Sequence, residues 1–559
     1  MTLRKIPVLE PVPVPSGSAE YEAARDAIAR QFAASVPEEL TLPQSVLDNA
    51  PKNVTGIPRQ SGLLSTRELS ITEDYDAVAL AQAMASRKLS AVEVATAFSK
   101  RALIAHQLTS CLTEWFMDEA VARARELDVH LAATGTTVGP LHGVPISLKA
   151  HIPLAGHWGN TGFLSTIQKE EEDCRMVRIL RAAGAVFYCK TNQPQAVMAL
   201  ESTSAWGRVL NPHNVNLSAG GSTGGEAALV ALRGSVLGVG TDIGGSMRGP
   251  AAFNGLYGYK ATADTLPMGD FFVGGVPAEL NILVSVGPMA TSLRDMDLFM
   301  KVVSSAKPHL EDPRVVPLPW TGLSGERRRP LKIGIMMNDG VITPQPPVTR
   351  ALEWARARLE AAAGPEIQVK SFEPYRVAEA IRNIRLAYIP DGGHGVRALL
   401  AASGEPEYPL TEWILREATA RGPASAMDLF QQRRQRDQFR IDFARHWAAQ
   451  DVDLIVSPAY AGPACTHETG WYWNYTALWN YLDCPGVAVP TPITAGKKGE
   501  EEYAPDANPL GEECRHVRRL WAEGDFEGAP VGLQIVARRH HDNFLFAGLE
   551  TLRDALQLV

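Results

Sequence analysis

The chain has 559 residues, of which 45% are hydrophobic and 21% charged, and its formal net charge at pH 7 is −8. This composition is typical of a globular protein with a large core, and it excludes a chain that is disordered throughout. A small negative net charge gives no indication of a nucleic-acid binder, which would need a basic face or stripe. The six cysteines are scattered and form no CxxC pair, which argues against a disulfide framework and against a thiolate zinc site.

The N-terminal segment lacks the apolar core of a secretory signal peptide. No stretch of the sequence approaches the roughly 18 uninterrupted apolar residues that a membrane span requires. The scattered cysteines suit a reducing compartment. We therefore expect a cytoplasmic protein that has no membrane partner.

Residues 1–65 are predicted to form an N-terminal appendage that is proline-rich at first and then helical. Helical spacing of apolar residues begins at about Ala19 and continues to Ala34. The same spacing predicts helix over residues 77–107, and the apolar run from 143 to 148 predicts a buried strand.

From residue 175 onward the predicted helices and strands alternate. Helices are predicted at 175–183, 226–232, 292–304 and 542–556, and strands at 185–189, 236–239, 332–337, 454–457 and 531–536. This alternation predicts an α/β fold whose sheet is covered by helices on both faces. We assign it to a single domain over residues 66–559, in which the mostly helical interval of about 308–450 is an insertion that flanks the core.

The first stretch that points to chemistry is Gly220-Gly221-Ser222-Thr223-Gly224-Gly225, directly before a predicted helix. Glycines allow the backbone to turn sharply, and a helix N-terminus offers free N–H groups. That setting suits an active-site serine or a bound phosphate. A phosphate loop, however, needs Lys and then Ser or Thr after its last glycine, whereas Glu226 stands there and would repel phosphate. A structural glycine-rich turn remains the alternative for this stretch.

A second turn of the same kind, Gly240–Arg248, follows a predicted strand and contains the run Gly244-Gly245-Ser246. Successive N–H groups in such a turn can converge on one point, as an oxyanion hole requires. Upstream, Lys149 ends the apolar strand predicted at 143–148. Burial at such a position lowers the pKa of a lysine.

Together the three stretches resemble the amidase signature family. The family pattern has a Gly-Gly-Ser-Ser-Gly-Gly run, then Gly-Thr-Asp-Ile-Gly-Gly-Ser-x-Arg-x-Pro-Ala, with a lysine at a strand end upstream. This sequence matches the pattern over Gly220–Gly225 and Gly240–Ala251. Similarity to fungal general amidases and acetamidases extends from about residue 80 to the C-terminus. The resemblance implies one large amidase signature domain with a mixed, twisted sheet.

The resemblance also implies roles for individual residues. Ser246 is expected to be the nucleophile, Lys149 the general base, and Ser222 the serine that bridges them, on a cis peptide after Gly221. The oxyanion hole is expected to consist of the backbone N–H groups of Ile243, Gly244, Gly245 and Ser246. These roles agree with the chemistry, because a serine hydroxyl is a weak nucleophile until a base takes its proton.

Three positions depart from the usual family pattern. Ala150 stands where an aspartate often follows the lysine, which puts the local support of Lys149 in doubt. Gly249 stands where a larger residue is common, so we expect extra space beside Ser246. Thr223 replaces the second serine of the first run and keeps a hydroxyl.

Asp242 and Arg248 lie close to the second turn, and two interpretations of them stay open. They can form an ion pair that makes the oxyanion loop rigid, or each can contact solvent or backbone separately. In both cases we expect a supporting, structural role and not direct catalysis.

The histidines near the lysine strand and near the C-terminus lack the spacing of a zinc hydrolase. We expect them to be ordinary polar or surface residues: His142, His151, His157, His540 and His541. The aromatic-rich segment 471–479 belongs either to the core or, in part, to an apolar acyl pocket.

These observations predict an amidohydrolase that cleaves a small carboxylic acid amide to an acid and ammonia or an amine, through an acyl-enzyme. No metal and no organic cofactor is implied. The expected partner is the small-molecule substrate, without nucleic acid, and a homodimer is a family-level expectation. Two alternatives stay open: the glutaminase subunit of a tRNA-dependent amidotransferase, and a catalytically dead relative that acts as a scaffold.

Overall fold

In the part of the chain that the structure describes, eleven strands form one large mixed sheet, and three further sheets have two strands each. The structure is a computed structural model that describes residues 5–271, 281–505 and 507–559. Its strands are β1 (Leu112–Trp115), β2 (Pro145–Lys149), β3 (Trp158–Gly159), β4 (Gln168–Lys169), β5 (Val186–Thr191), β6 (Thr203–Ser204), β7 (Gly207–Arg208), β8 (Leu210–Asn211), β9 (Asn214–Ser218), β10 (Leu237–Asp242), β11 (Tyr257–Lys260), β12 (Ser285–Ala290), β13 (Leu331–Ile335), β14 (Ile367–Ser371), β15 (Leu454–Pro458), β16 (Gly486–Thr494) and β17 (Pro530–Val536).

Helices cover the sheet. They are α1 (Ala19–Ala34), α2 (Gln44–Asp48), α3 (Ile57–Gln60), α4 (Thr66–Glu73), α5 (Ala77–Ala85), α6 (Ala91–Thr109), α7 (Met117–Thr134), α8 (Arg175–Ala182), α9 (Gly224–Ala231), α10 (Arg248–Phe253), α11 (Leu293–Ser305), α12 (Pro346–Ala361), α13 (Val377–Tyr388), α14 (His394–Ser403), α15 (Pro409–Arg421), α16 (Ala426–Ala449), α17 (Asn474–Leu482), α18 (Glu512–Glu523) and α19 (Asp542–Leu552). Among the described residues, none of these helices is both long and apolar enough to cross a lipid bilayer.

The strand order of the large sheet is β1-β5-β2-β10-β12-β11-β16-β17-β15-β13-β14. Strands β5, β2 and β10 run parallel to one another. Because the carboxyl ends of parallel strands lie at the same edge of a sheet, Lys149 at the end of β2 and Asp242 at the end of β10 share that edge. The predicted α/β fold with a mixed sheet is therefore confirmed.

The predicted helix over 77–107 is wrong in one respect, because the structure divides it into α5 and α6. Arg87 between them adopts a left-handed φ of 60°, which ends the first helix. Ser90 then accepts a hydrogen bond from the Glu93 backbone N–H, and the Glu93 side chain accepts one from the Ser90 N–H. This reciprocal capping box begins a new helix.

The interval 308–450 is not only a helical insertion, because it also supplies β13 and β14 to the large sheet. Ile333 and Ile335 of β13 are fully buried or nearly so, and β13 pairs in parallel with both β14 and β15. The sequence predicts a strand at 332–337, and the apolar side chains of β13 are buried within the sheet.

Residues before position 65 pack against the large domain. Side chains from this segment, among them Ala33, Val36 and Leu40, belong to the same apolar core as Ile146 of β2. The hydroxyl of Tyr21 on α1 lies 2.5 Å from that of Tyr408. The segment therefore buries part of the apolar surface of the sheet-bearing region.

Candidate active site

Lys149 is fully buried at the end of β2, opposite Thr191 of β5. Its Nζ donates to Ser222 Oγ over 2.6 Å and to Thr223 Oγ1 over 2.9 Å. Thr223 is the N-cap residue of α9, so the start of this helix supplies both hydroxyls. The structure thus brings Lys149, Ser222 and Thr223 together, although 73 residues separate the first two in sequence.

Burial lowers the pKa of Lys149 well below its usual value, and the charges of Asp242 and Glu226 only partly oppose this effect. Burial also raises the pKa of Glu226 to about 8, against hydrogen bonds from Ser147 and Thr191 that lower it. Because its pKa is raised, Glu226 opposes the loss of the Lys149 proton less than a carboxylate with an ordinary pKa would. The lysine can therefore be a neutral amine, which is the form that a general base requires.

Ser222 follows a cis peptide bond between Gly221 and Ser222, as the family resemblance implied. Its side chain is 1% exposed. A Cβ atom at Gly221 would overlap the carbonyl oxygen of Ala199, so only glycine fits this turn. Ser202 Oγ accepts a hydrogen bond from the Gly224 N–H over 3.1 Å and holds the first residue of α9 in place.

Ser246 lies in the turn between β10 and α10 and is 5% exposed. Within the described residues its hydroxyl forms no hydrogen bond with Ser222 or Lys149, so the structure does not join all three side chains directly. Catalytic hydrogen bonds are often long without substrate and shorten in the reacting complex. The turns that carry the two serines do contact each other, since Thr223 Oγ1 donates to the Thr241 carbonyl over 3.2 Å.

One of the four predicted oxyanion donors is hydrogen-bonded within the protein. The Gly245 N–H donates to Asp242 Oδ1 over 2.8 Å, so it is not free to bind a substrate oxygen in this structure. For the N–H groups of Ile243, Gly244 and Ser246, no acceptor is found in the described part of the protein. The sequence showed four successive donors but could not show that a neighbouring carboxylate would accept from one of them.

Asp242 and Arg248 form the ion pair that was one of the two interpretations left open. Arg248 Nε and Nη2 donate to the two Asp242 oxygens, each over 3.1 Å. Burial alone would raise the pKa of Asp242, but the Arg248 charge and its hydrogen bonds outweigh burial and hold that pKa well below its usual range. Asp242 Oδ2 also accepts from the Met247 N–H over 3.1 Å, so the carboxylate contacts both sides of the Ser246 turn.

Two amide side chains form hydrogen bonds with this ion pair, and no role was predicted for either of them. Arg248 Nη1 donates to Gln534 Oε1 over 3.0 Å, and Arg248 Nη2 donates to Asn480 Oδ1 over 2.6 Å. Asn480 Nδ2 in turn donates to Asp242 Oδ1 over 2.8 Å. Both residues lie in segments that match the fungal amidases, which was the available signal for their importance.

His151 is not an ordinary surface histidine, because it is 6% exposed and lies beside the lysine. Its Nδ1 is 2.7 Å from Gln193 Oε1 and its Nε2 is 3.2 Å from Thr241 Oγ1. An amide oxygen can only accept, so Nδ1 donates and Nε2 accepts from the threonine hydroxyl. Burial, together with the Lys149 charge, lowers the pKa of His151 to about 3, so this ring is neutral. Its position two residues after Lys149 was the signal in the sequence.

The side chain of Leu200 lies beside Gly249. A Cβ atom at this position would lie 2.7 Å from Leu200 Cδ1, and Leu200 is 2% exposed. Leu200 from another segment therefore lies where a larger side chain at position 249 would be placed, and the extra room beside Ser246 stays a prediction.

The aromatic segment 471–479 divides between core and site. Tyr475 and Trp479 are fully buried in the apolar core. Trp473 packs on the turn that carries Ser246, because a Cβ atom at Gly244 would lie 2.9 Å from its ring. The Trp473 ring stacks on Tyr388, with ring centroids 6.0 Å apart and planes 9° apart.

Comparisons with protein families and with known relatives point to the same class of protein as these site residues do. The family model described as Amidase matches residues 93–546. The chain belongs to the amidase signature family. It is 40% identical over 542 residues to an amidase-class protein of Schizosaccharomyces pombe, a match that covers 96% of this chain and 98% of the relative. It is also 36% identical over 535 residues to the acetamidase of Emericella nidulans, which covers 93% and 95% of the two chains.

A solved structure of fatty acid amide hydrolase is similar over nearly the whole chain. The two share 32% sequence identity and a TM-score of 0.88, and the match covers 96% of this chain and 95% of that one. Membership of the amidase signature family and these neighbours make this protein an amidase-type hydrolase.

Proposed function

We propose that this protein hydrolyses a small, linear carboxylic acid amide through an acyl-enzyme on Ser246. The observation that carries the proposal is the buried contact of 2.6 Å between Lys149 Nζ and Ser222 Oγ. A lysine with a lowered pKa has no structural reason to be placed against a serine hydroxyl, whereas a proton relay requires that arrangement.

In the proposed reaction, neutral Lys149 takes a proton from Ser222, which takes one from Ser246. The Ser246 oxygen attacks the amide carbonyl carbon, and the developing negative oxygen is bound by the free N–H groups of the turn. The proton then returns through Ser222 to the leaving nitrogen, so that ammonia or an amine departs and an ester to Ser246 remains. Water attacks this ester by the same relay and releases the acid.

The site favours a small acyl group. Trp473 and Tyr388 cover Gly244 of the oxyanion turn, and Leu200 fills the space beside Gly249. Because Trp473 and Tyr388 lie against the turn that carries Ser246, we expect the acyl group bound there to be small. Two relatives, one named acetamidase and one named fatty acid amide hydrolase, suggest the shortest and the longest acyl groups that should be examined. We further propose that the enzyme acts in the cytoplasm, and we keep a homodimer as a family-level proposal.

The test is a panel of amides whose acyl groups run from acetyl to long-chain and aryl, with hydroxylamine as a second acceptor. We expect turnover of a small linear amide, and hydroxamate formation in competition with hydrolysis, because both acceptors attack one acyl-enzyme. Ser246→Ala should abolish both products. Absence of turnover on the whole panel would favour the scaffold alternative.

Glutamine hydrolysis with and without tRNA separates the remaining alternative. A glutaminase subunit should prefer glutamine and respond to tRNA and partner subunits. The near full-length match to the fungal relatives speaks against that role. We expect glutamine to be a poor substrate that is unaffected by tRNA.

A further inference from the structure

We infer that Tyr388 is a positioning residue for the oxyanion turn, where it aims the Gly244 N–H at the substrate oxygen. Tyr388 is the last residue of α13, 145 residues away from the turn in sequence. The inference rests on the proposed function, because it assumes that the turn binds an oxyanion.

The geometry rests on one hydrogen bond. The Tyr388 hydroxyl donates to the Ile243 carbonyl oxygen over 2.7 Å. In a trans peptide the carbonyl and the following N–H lie in one plane and point in opposite directions. A bond that fixes the Ile243 carbonyl therefore also fixes the direction of the Gly244 N–H. Hydrogen bonding at the carbonyl end polarises the peptide as well, which makes its N–H a stronger donor.

Tyr388 is held firmly enough to perform this role. It is 5% exposed, and its ring stacks on Trp473. Burial, and next the charge of Asp242, raise the pKa of Tyr388 well above its usual value. The phenol consequently keeps its proton and remains a donor throughout the pH range in which an amidase would work.

The next peptide of the turn shows why Tyr388 matters more than a similar contact nearby. Thr476 Oγ1 donates to the Gly244 carbonyl over 2.7 Å, which fixes the Gly245 N–H in the same way. That N–H already donates to Asp242 and is not available to substrate. Asn480 Nδ2 also donates to the Asp242 carbonyl ahead of the Ile243 N–H, but over a longer distance of 3.5 Å. Of the two hydroxyls that hold a peptide of the turn within the described residues, only that of Tyr388 holds one that ends in a free donor.

Tyr388→Phe is the test, because it removes the hydroxyl and keeps the ring and its stacking. The matched control is Tyr188→Phe. Tyr188 is also fully buried, and its hydroxyl donates to a backbone carbonyl, that of Gly234, over 2.6 Å. Gly234 precedes β10, whereas the oxyanion turn follows it, so the control removes the same kind of bond at the opposite end of one strand.

We expect Tyr388→Phe to lower kcat about 10- to 100-fold, below the loss of a whole oxyanion donor, which is about 10²–10³-fold. Binding of a trifluoromethyl ketone analogue of the best amide, which forms a tetrahedral adduct on the serine, should weaken by a similar factor. KM and inhibition by the product acid should change little, since neither depends on an oxyanion. Thr476→Val should lower kcat less than Tyr388→Phe, and Tyr188→Phe should not lower it.

Unchanged kcat and unchanged ketone binding in Tyr388→Phe would overturn the inference alone. So would an equal loss in ketone and product-acid binding, because a merely structural role would weaken both. Absence of Ser246-dependent turnover in the unmodified enzyme would overturn the proposed function, and this inference with it.

Discussion

Arg248 and Asp242 form an ion pair inside the protein in which both side chains are 0% exposed. Asp242 ends β10 and Arg248 begins α10, so the pair closes the turn that carries Ser246. Two polar partners of the arginine, Asn480 and Gln534, come from α17 and β17. The conformation of the turn therefore depends on two distant parts of the chain, α17 and β17.

We expect Arg248→Met to lower the free energy of unfolding by about 3–5 kcal/mol, because it leaves the Asp242 charge buried without a partner. Turnover should fall as well, since the turn that carries Ser246 loses the ion pair that joins its two ends. Arg294→Met is the control, as Arg294 is half exposed and pairs with Asp76 at the surface, where such a pair contributes about 1 kcal/mol or less. Denaturant unfolding of both variants measures the difference, and equal losses would contradict this account.

Lys149→Met should lower kcat by about 10²–10⁴-fold, the range that a general base contributes. In the unmodified enzyme, kcat/KM should rise with pH and level off well below about 10.4, where an unperturbed lysine loses its proton. Lys190→Met is the control, because Lys190 is also buried but donates to the Trp158 carbonyl and not to Ser222. A flat pH profile, or an equal loss of kcat in both variants, would contradict the assignment of the base.

The same lysine has a predicted effect on stability. Its pKa is lower in the folded than in the unfolded state, so between the two values the unfolded chain binds more protons, and stability at this site rises with pH. Lys149→Met lacks this dependence. Its stability relative to the unmodified enzyme should therefore be greatest at low pH and decline as pH approaches about 10.4. Unfolding curves across pH test this sign, and the opposite trend would contradict it.

The packing of Leu200 against Gly249 predicts a pair of coupled substitutions. Gly249→Ala should lower the free energy of unfolding by about 1–3 kcal/mol, as overpacking of a core usually does. Leu200→Ala alone should also destabilise, but the double variant should lose less than the sum of the two. Gly364→Ala is the control, since a Cβ atom there meets no heavy atom within 4 Å. If the double variant loses as much unfolding free energy as the two single variants together, the contact between Leu200 and residue 249 is not the cause of the destabilisation.

The residues of the proposed reaction could be found in the sequence, because they lie in short motifs. Lys149 ends an apolar strand, and the turns around Ser222 and Ser246 are rich in glycine, so each is visible in a window of about ten residues. The alternation of helix and strand likewise predicted the α/β sheet. These windows could not show the order of the strands, and they did not predict β14 (Ile367–Ser371).

The rest of the site depends on contacts between distant segments. Tyr388, Asn480 and Gln534 lie more than 140 residues from the turn that they support, as their hydrogen bonds show. Leu200 fills the space beside Gly249 from a separate loop. No periodicity or motif encodes such a contact, because it is set by how the helices pack on the sheet after the chain has folded.

The central claim is that Ser246 is the nucleophile, and covalent labelling tests it most directly. The unmodified enzyme is treated with a fluorophosphonate probe, digested, and mapped by peptide mass spectrometry, beside Ser246→Ala and Ser222→Ala. We predict that the label is on Ser246, is absent in Ser246→Ala, and forms far more slowly but still on Ser246 in Ser222→Ala, because that change removes the proton relay and keeps the nucleophile. Label on Ser222 in the unmodified enzyme, or undiminished labelling of Ser246→Ala, would contradict the account.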